Sequence, residues 1–148
     1  MLGDAVNRDS IAVGVEVEDW REAVMLSADL LVAAGVVEER YGPAMISTVE
    51  ELGPYAVIGE GIAIPHARPE DGALKVGVSV ATLVTPVEFG SEEYDPVDLV
   101  FGFATPDKDS HIDTIRDLVN FIKESENLKA LRGATSADEA FEVLSGGK

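Results

Sequence analysis

The sequence predicts an α/β fold, and three observations carry that reading. Runs rich in valine and isoleucine at 11–17, 73–84 and 97–104 have the length and β-branched content of strands, with shorter apolar runs at 55–58 and 62–64. Segments 20–34, 37–51 and 110–124 instead space their apolar residues by three and four, the period of a helix face. The 148-residue length fits one domain, read as 1–148, with enough interior to bury most of a core.

Residues 1–10 are polar and uneven and read as a frayed leader. Residues 11–17 alternate, with Ile11, Val13, Val15 and Val17 on one face of a half-buried strand. Asp19 suits the cap of a helix at 20–34, whose Trp20, Val24, Ala28 and Leu31 face a core and whose stop is Gly35. A second helix at 37–51 turns Tyr41, Met45 and Val49 inward, although Gly42 and Pro43 offer a break into two pieces, and Gly53 with Pro54 ends it. The valine-rich run 73–84 reads as a central strand, and 97–104 as a second one with a buried-looking Asp98. Between them, 85–96 holds two prolines, Gly90 and the acids Glu88, Glu92, Glu93 and Asp95, which reads as a solvent-facing hairpin connection. After a loop at 105–109, Ser110 and Asp113 have capping-box spacing for a helix to about 124, and short helices at 127–133 and 136–144 close the chain.

Composition narrows the function. The chain has 28 acidic and 11 basic residues, a formal charge of -17, which repels nucleic-acid phosphates and anionic lipid head groups. Its acids are scattered, so the surface as a whole is acidic; a salt-adapted host and an acidic mesophilic protein both fit this pattern. No cysteine is present, so a disulfide framework, a thiolate zinc site and a cysteine nucleophile are excluded, and two histidines argue against a histidine-rich metal centre. No apolar run approaches the roughly 18–20 residues that span a bilayer, and the first ten residues lack a signal-peptide core; the expectation is a cytoplasmic protein without direct membrane insertion.

The stretch Gly59-Glu-Gly-Ile-Ala-Ile-Pro-His-Ala-Arg-Pro-Glu-Asp-Gly72 concentrates the chemistry. Pro65 and Pro69 fix their own φ and restrict their predecessors, so His66 has few conformations to lose, and Arg68 offers a planar, permanently charged fork suited to an oxyanion. On local chemistry two readings stand: an imidazole that handles a phosphate or carboxylate, or a polar loop residue partnered by nearby carboxylates.

The second histidine, His111, precedes Ile115, Leu118 and Ile122 by four, seven and eleven positions, so it shares their inward face at the first turn of the helix. It reads either as a buried imidazole satisfied by a neighbouring group, or as part of an anion site favoured by first-turn N–H groups and the helix dipole.

Taken together, Gly-Ile-Ala-Ile-Pro-His-Ala-Arg-Pro-Glu-Asp-Gly at 61–72 and His-Ile-Asp-Thr-Ile-Arg-Asp-Leu-Val-Asn at 111–120 resemble the two active-site segments of the enzyme IIA components of the sugar phosphotransferase system, mannitol/fructose-type superfamily. Gly-Pro-Tyr at 53–55 and Pro-Val-Glu-Phe-Gly at 86–90 are most similar to the ascorbate-type subgroup, and the likeness extends over about 20–144. The resemblance implies a mixed sheet of about five strands with helices on both faces. It implies that His66 accepts a phosphoryl group from the carrier HPr, that His111 supports it, and that a cysteine on a separate enzyme IIB receives it next, with the IIC permease acting indirectly. No metal or organic cofactor is implied. One departure stands out: mannitol-type members carry an arginine sixteen or seventeen residues before the phosphorylated histidine, where this chain has Val49 and Glu50, which leaves Arg68 as the candidate to neutralise the phosphoryl group. Glu60 matches an acidic position of the mannitol type that could orient an imidazole, or is a simple exposed charge. A regulatory module of the same fold, and a small hydrolase or metal-binding protein using His66 and His111, are the rival readings.

Overall fold

A computed structural model describes residues 2–53, 56–107 and 112–146. Its elements are β1 (Ile11–Val15), α1 (Trp20–Ala33), α2 (Tyr41–Leu52), β2 (Val57–Gly59), β3 (Ile62–Ala63), β4 (Gly77–Val87), β5 (Val97–Ala104), α3 (Ile112–Lys123), α4 (Ser125–Gly133) and α5 (Ala137–Leu144). The strands form one mixed sheet in the order β1-β4-β5-β3-β2. β4 and β5 pair antiparallel at its centre, β1 and β3 join them in parallel, and β2 closes the edge as an antiparallel hairpin with β3.

Alternation along β5 divides the core into two layers. Val100 and Ala104 join Val24, Leu31 and Met45 of α1 and α2, while Leu99, Phe101 and Phe103 join Leu118, Leu131 and Leu144 of α3, α4 and α5. The expected helices on both faces follow directly. Small residues face α1 where it meets the sheet: Ser79 Oγ donates to the Ser27 carbonyl at 2.8 Å, and a Cβ added at Gly102 would overlap Ser79 Oγ and stand 3.1 Å from Ser27 Cβ.

Helix ends obey their local signals. Asp19 accepts the Glu22 N–H at 3.0 Å and Ser136 accepts the Glu139 N–H at 3.1 Å, each tying down a first-turn donor. Gly35, at φ +75°, takes the left-handed conformation that ends α1.

Several expectations need correction. The segment read as a frayed leader is packed: Leu2 and Val6 are buried in the layer of α3 to α5, and the Val78 N–H donates to Ala5 O at 2.8 Å. Its polar residues serve as local caps, Asn7 accepting the Asp9 and Ser10 N–H groups, and Arg8 pairs with Asp138. The second helix starts at Tyr41, so Gly42 and Pro43 open it rather than break it, because a first-turn proline has no N–H bond to lose. Upstream of it Val37 bridges Ala73. β4 begins four residues later than expected and runs on to Val87; Pro86 falls where the β4–β5 register shifts between Thr82 and Val87. The connection that follows is not wholly solvent-facing, since Phe89 is buried against Trp20, ring centroids 6.2 Å apart, and Asp95 accepts the N–H groups of Phe89 and Gly90. The proposed Ser110 cap lies outside the described residues. No described helix is long and apolar enough to cross a membrane.

Candidate active site

β3 ends after two residues, but the chain keeps following β5. Ile64 N–H donates to Ala56 O at 2.8 Å, Phe103 N–H donates to Pro65 O at 3.2 Å, and His66 forms a parallel bridge to Phe103. His66 therefore emerges at the end of the sheet on backbone that is already hydrogen-bonded on its upstream side. Its Nδ1 lies 3.2 Å from Ile64 O. A carbonyl can only accept, so in this bond Nδ1 carries a proton and donates.

The downstream side is held by a residue from another element. Tyr41, the first residue of α2 and 1% exposed, accepts the Ala67 N–H at 3.0 Å and has its own O–H within 2.9 Å of Phe103 O and 3.2 Å of Ala67 O. The helical spacing put Tyr41 on an inward face; its tie to the histidine loop had no signal in the sequence, because its partners are 26 and 62 positions away.

His66 and Arg68 are brought together, since both line two adjoining pockets. One, of about 520 Å³ between the sheet and α3, is largely apolar, with Ile58, Ile64, Phe103, Ile115 and Val119 in its walls. The other, of about 620 Å³ against α2, is polar, with Ser47, Thr48, Glu51 and Asp71. Among the described residues, Arg68 is the arginine or lysine that lines either pocket. Its backbone N–H donates to Asp71 Oδ2 at 3.0 Å and its Nε stands 3.5 Å from the same oxygen and 4.0 Å from Glu70 Oε2, while the side chain stays 75% exposed. Neither position at which the resemblance leads one to expect an arginine supplies a group to this site: Val49 is buried in the core and Glu50 accepts from Arg21 at 3.0 Å.

Glu60 is not brought to His66. The register sets Ile62 beside Leu99 and His66 beside Phe103, four residues along β5 or about 13 Å at ~3.3 Å per residue, and Glu60 lies beyond Ile62 in the hairpin turn. There it shares a separate groove with Lys129 and Arg132, close to the half-buried Asp98, which Arg132 clasps through Nε at 3.0 Å and Nη2 at 2.9 Å. The exposed-charge alternative describes its position. His111 lies outside the described residues; the helix that follows it directly, α3, contributes Ile115 and Val119 to the apolar pocket beside His66. No group of three or more His, Asp or Glu residues with metal-site geometry occurs among the described residues.

Comparison with known proteins gives a consistent result. Residues 5–146 match the family described as phosphoenolpyruvate-dependent sugar phosphotransferase system, EIIA 2. The ascorbate-specific PTS system EIIA component of Escherichia coli (strain K12) is 43% identical over 136 residues, 91% of this chain and 88% of that protein. Among solved structures, the mannitol-specific cryptic phosphotransferase enzyme IIA from Escherichia coli has a TM-score of 0.87 at 36% identity over 97% of each chain. The complex of mannitol enzyme IIA with phosphorylated enzyme IIB from Escherichia coli gives a TM-score of 0.80 at 34% identity, over 95% of this chain and 96% of the matched one.

Proposed function

The chain belongs to the EIIA 2 family of the phosphoenolpyruvate-dependent sugar phosphotransferase system, whose EIIA components act as phosphotransferases, and from that premise we propose that His66 is the residue that carries the phosphoryl group. The observation that carries the reading is the Nδ1–H to Ile64 O bond, which fixes the ring so that Nε2 is the nitrogen we assign as nucleophile. Nε2 attacks the phosphorus of phospho-HPr in line; the new P–N bond forms as the bond to the donor's imidazole breaks, and the donor leaves as neutral histidine after taking up a proton. A cysteine thiolate on a separate enzyme IIB then attacks the same phosphorus and returns His66 to its starting state.

Such a transfer depends on positioning and on charge stabilisation, and the scheme needs no metal or organic cofactor. Arg68, in the walls of both pockets, offsets the phosphoryl charge. His111 donates a hydrogen bond to the phosphoryl oxygens; its position immediately before α3, whose Ile115 and Val119 face the pocket of His66, supports that role. The cycle runs in the cytoplasm and feeds a permease of the ascorbate, fructose or polyol class, the 43% identity to an ascorbate-specific component supporting the first of these.

The test is incubation of the purified protein with labelled phosphoenolpyruvate, enzyme I and HPr, followed by an enzyme IIB. Label is expected on the wild-type chain, absent from a His66→Ala variant, and passed on to the IIB cysteine. Label that persists in His66→Ala removes the assignment; label that enters but reaches no IIB favours a regulatory module over a transport component.

A further inference from the structure

Resting on the reading of His66 as phosphoryl acceptor, we propose that Tyr41 is a positioning residue for the transfer: its buried hydroxyl fixes the peptide after His66, so that the imidazole and the Arg68 fork meet the incoming phosphoryl group in one arrangement. The peptide groups on both sides of His66 lead to the same residue of β5. Upstream, Pro65 C=O takes the Phe103 N–H at 3.2 Å; downstream, Ala67 N–H donates at 3.0 Å to the Tyr41 hydroxyl, which in turn donates to Phe103 C=O at 2.9 Å. The phenol is thus a bridge between the histidine loop and the central strand, inserted from a helix that carries none of the proposed reacting groups.

A phenylalanine ring would fill the same space between α2 and the sheet, so packing alone does not call for the hydroxyl. Without it the Ala67 N–H loses this acceptor and Phe103 C=O loses this donor in a place where the phenol is 1% exposed. The Ala67 peptide would rotate to find new partners. It is the link between His66 and Arg68, so any rotation moves the guanidinium relative to Nε2 and disturbs the ring whose Nδ1 is set against Ile64 O. A misplacement on the scale of an ångström at a reacting centre costs roughly 100-fold in rate.

The experiment compares full-length wild type, Tyr41→Phe and Tyr41→p-aminophenylalanine, the last keeping a hydrogen-bonding group at the para position. Three readouts are taken: the rate of phosphoryl uptake as phospho-HPr is varied, the His66 tautomer from long-range nitrogen–proton NMR correlations, and hydrogen exchange of the Ala67 amide. Tyr41→Phe is expected to lower kcat by ~10- to 100-fold with little change in KM, the split that marks lost positioning rather than lost docking. The Nδ1–H tautomer signature should weaken in the same variant, Ala67 exchange should accelerate, and the para-amino variant should recover at least part of each. Wild-type rate and tautomer in Tyr41→Phe would overturn the proposal, as would a fall in rate with tautomer and Ala67 exchange unmoved. If Tyr41→Phe does not fold, the wild-type protein still decides: an Ala67 amide that exchanges as fast as an open loop contradicts the bridge. A wild-type chain that takes no label removes the phosphoryl reading itself, while tautomer and exchange continue to judge Tyr41 separately.

Discussion

Arg68 gives the residue scale its plainest test, because what holds it is weak. Its guanidinium is mostly exposed and stands 3.5 Å or more from the carboxylates of Asp71 and Glu70. Exposed pairs of this kind contribute about 0–1 kcal/mol, so a phosphoryl group on His66 can recruit the cation at little cost. Arg68→Gln should therefore slow phosphoryl uptake by ~10- to 100-fold, since charge-assisted bonds to an oxyanion are the strong ones, while leaving the melting temperature nearly unchanged. Rates from phospho-HPr and a thermal melt on the same sample check both halves. The placement of His66 beside Arg68 was legible in the sequence because it is local: two prolines frame the pair and two positions separate them. The placement of Tyr41 and of Glu60 was not. Tyr41 reaches the site through a partner 62 positions away, and Glu60 is carried off by a strand register that no local pattern encodes.

At the scale of elements, the contact between α1 and the centre of the sheet is set by what is missing from it. Gly102 and Ser79 leave room for the α1 backbone, and an added methyl at Gly102 would run into Ser79 Oγ and press on Ser27, both buried. Gly102→Ala should destabilise the fold by about 1–3 kcal/mol, the usual cost of overpacking a tight interior, and denaturant unfolding would measure it. Most element types were readable, because the three-to-four spacing of α1 and the valine content of β4 and β5 are strong signals. The errors fell where tertiary contacts decide. Polar residues at the N-terminus cap one another beneath α5, and Gly42 with Pro43 begins a helix because Val36 and Val37 are drawn into the core just before it.

For the whole molecule, a mixed sheet with helices on both faces could be anticipated, whereas the strand order β1-β4-β5-β3-β2 could not be read from periodicity, since it depends on pairings between distant segments. The other global property is charge. A formal charge of -17 on 148 residues opposes compaction, and salt that shortens the screening length from about 10 Å at 0.1 M to about 3 Å at 1 M relieves that repulsion. The melting temperature should rise by several degrees between those two salt concentrations, consistent with about 1–2 kcal/mol at roughly 2–4 °C per kcal/mol for a chain of this size. Scanning calorimetry in sodium chloride checks it; an unchanged or falling midpoint would contradict the repulsion argument. The proposed function, by contrast, is concentrated at one ring nitrogen of His66, where the strand end, the Ile64 carbonyl and the Tyr41 bridge converge. Nitrogen–phosphorus NMR on the protein phosphorylated through enzyme I and HPr tests that most directly. Phosphorus coupled to Nε2 of His66, with Nδ1 unsubstituted, is the expected result; phosphorus on Nδ1, or on any residue other than His66, would contradict the account.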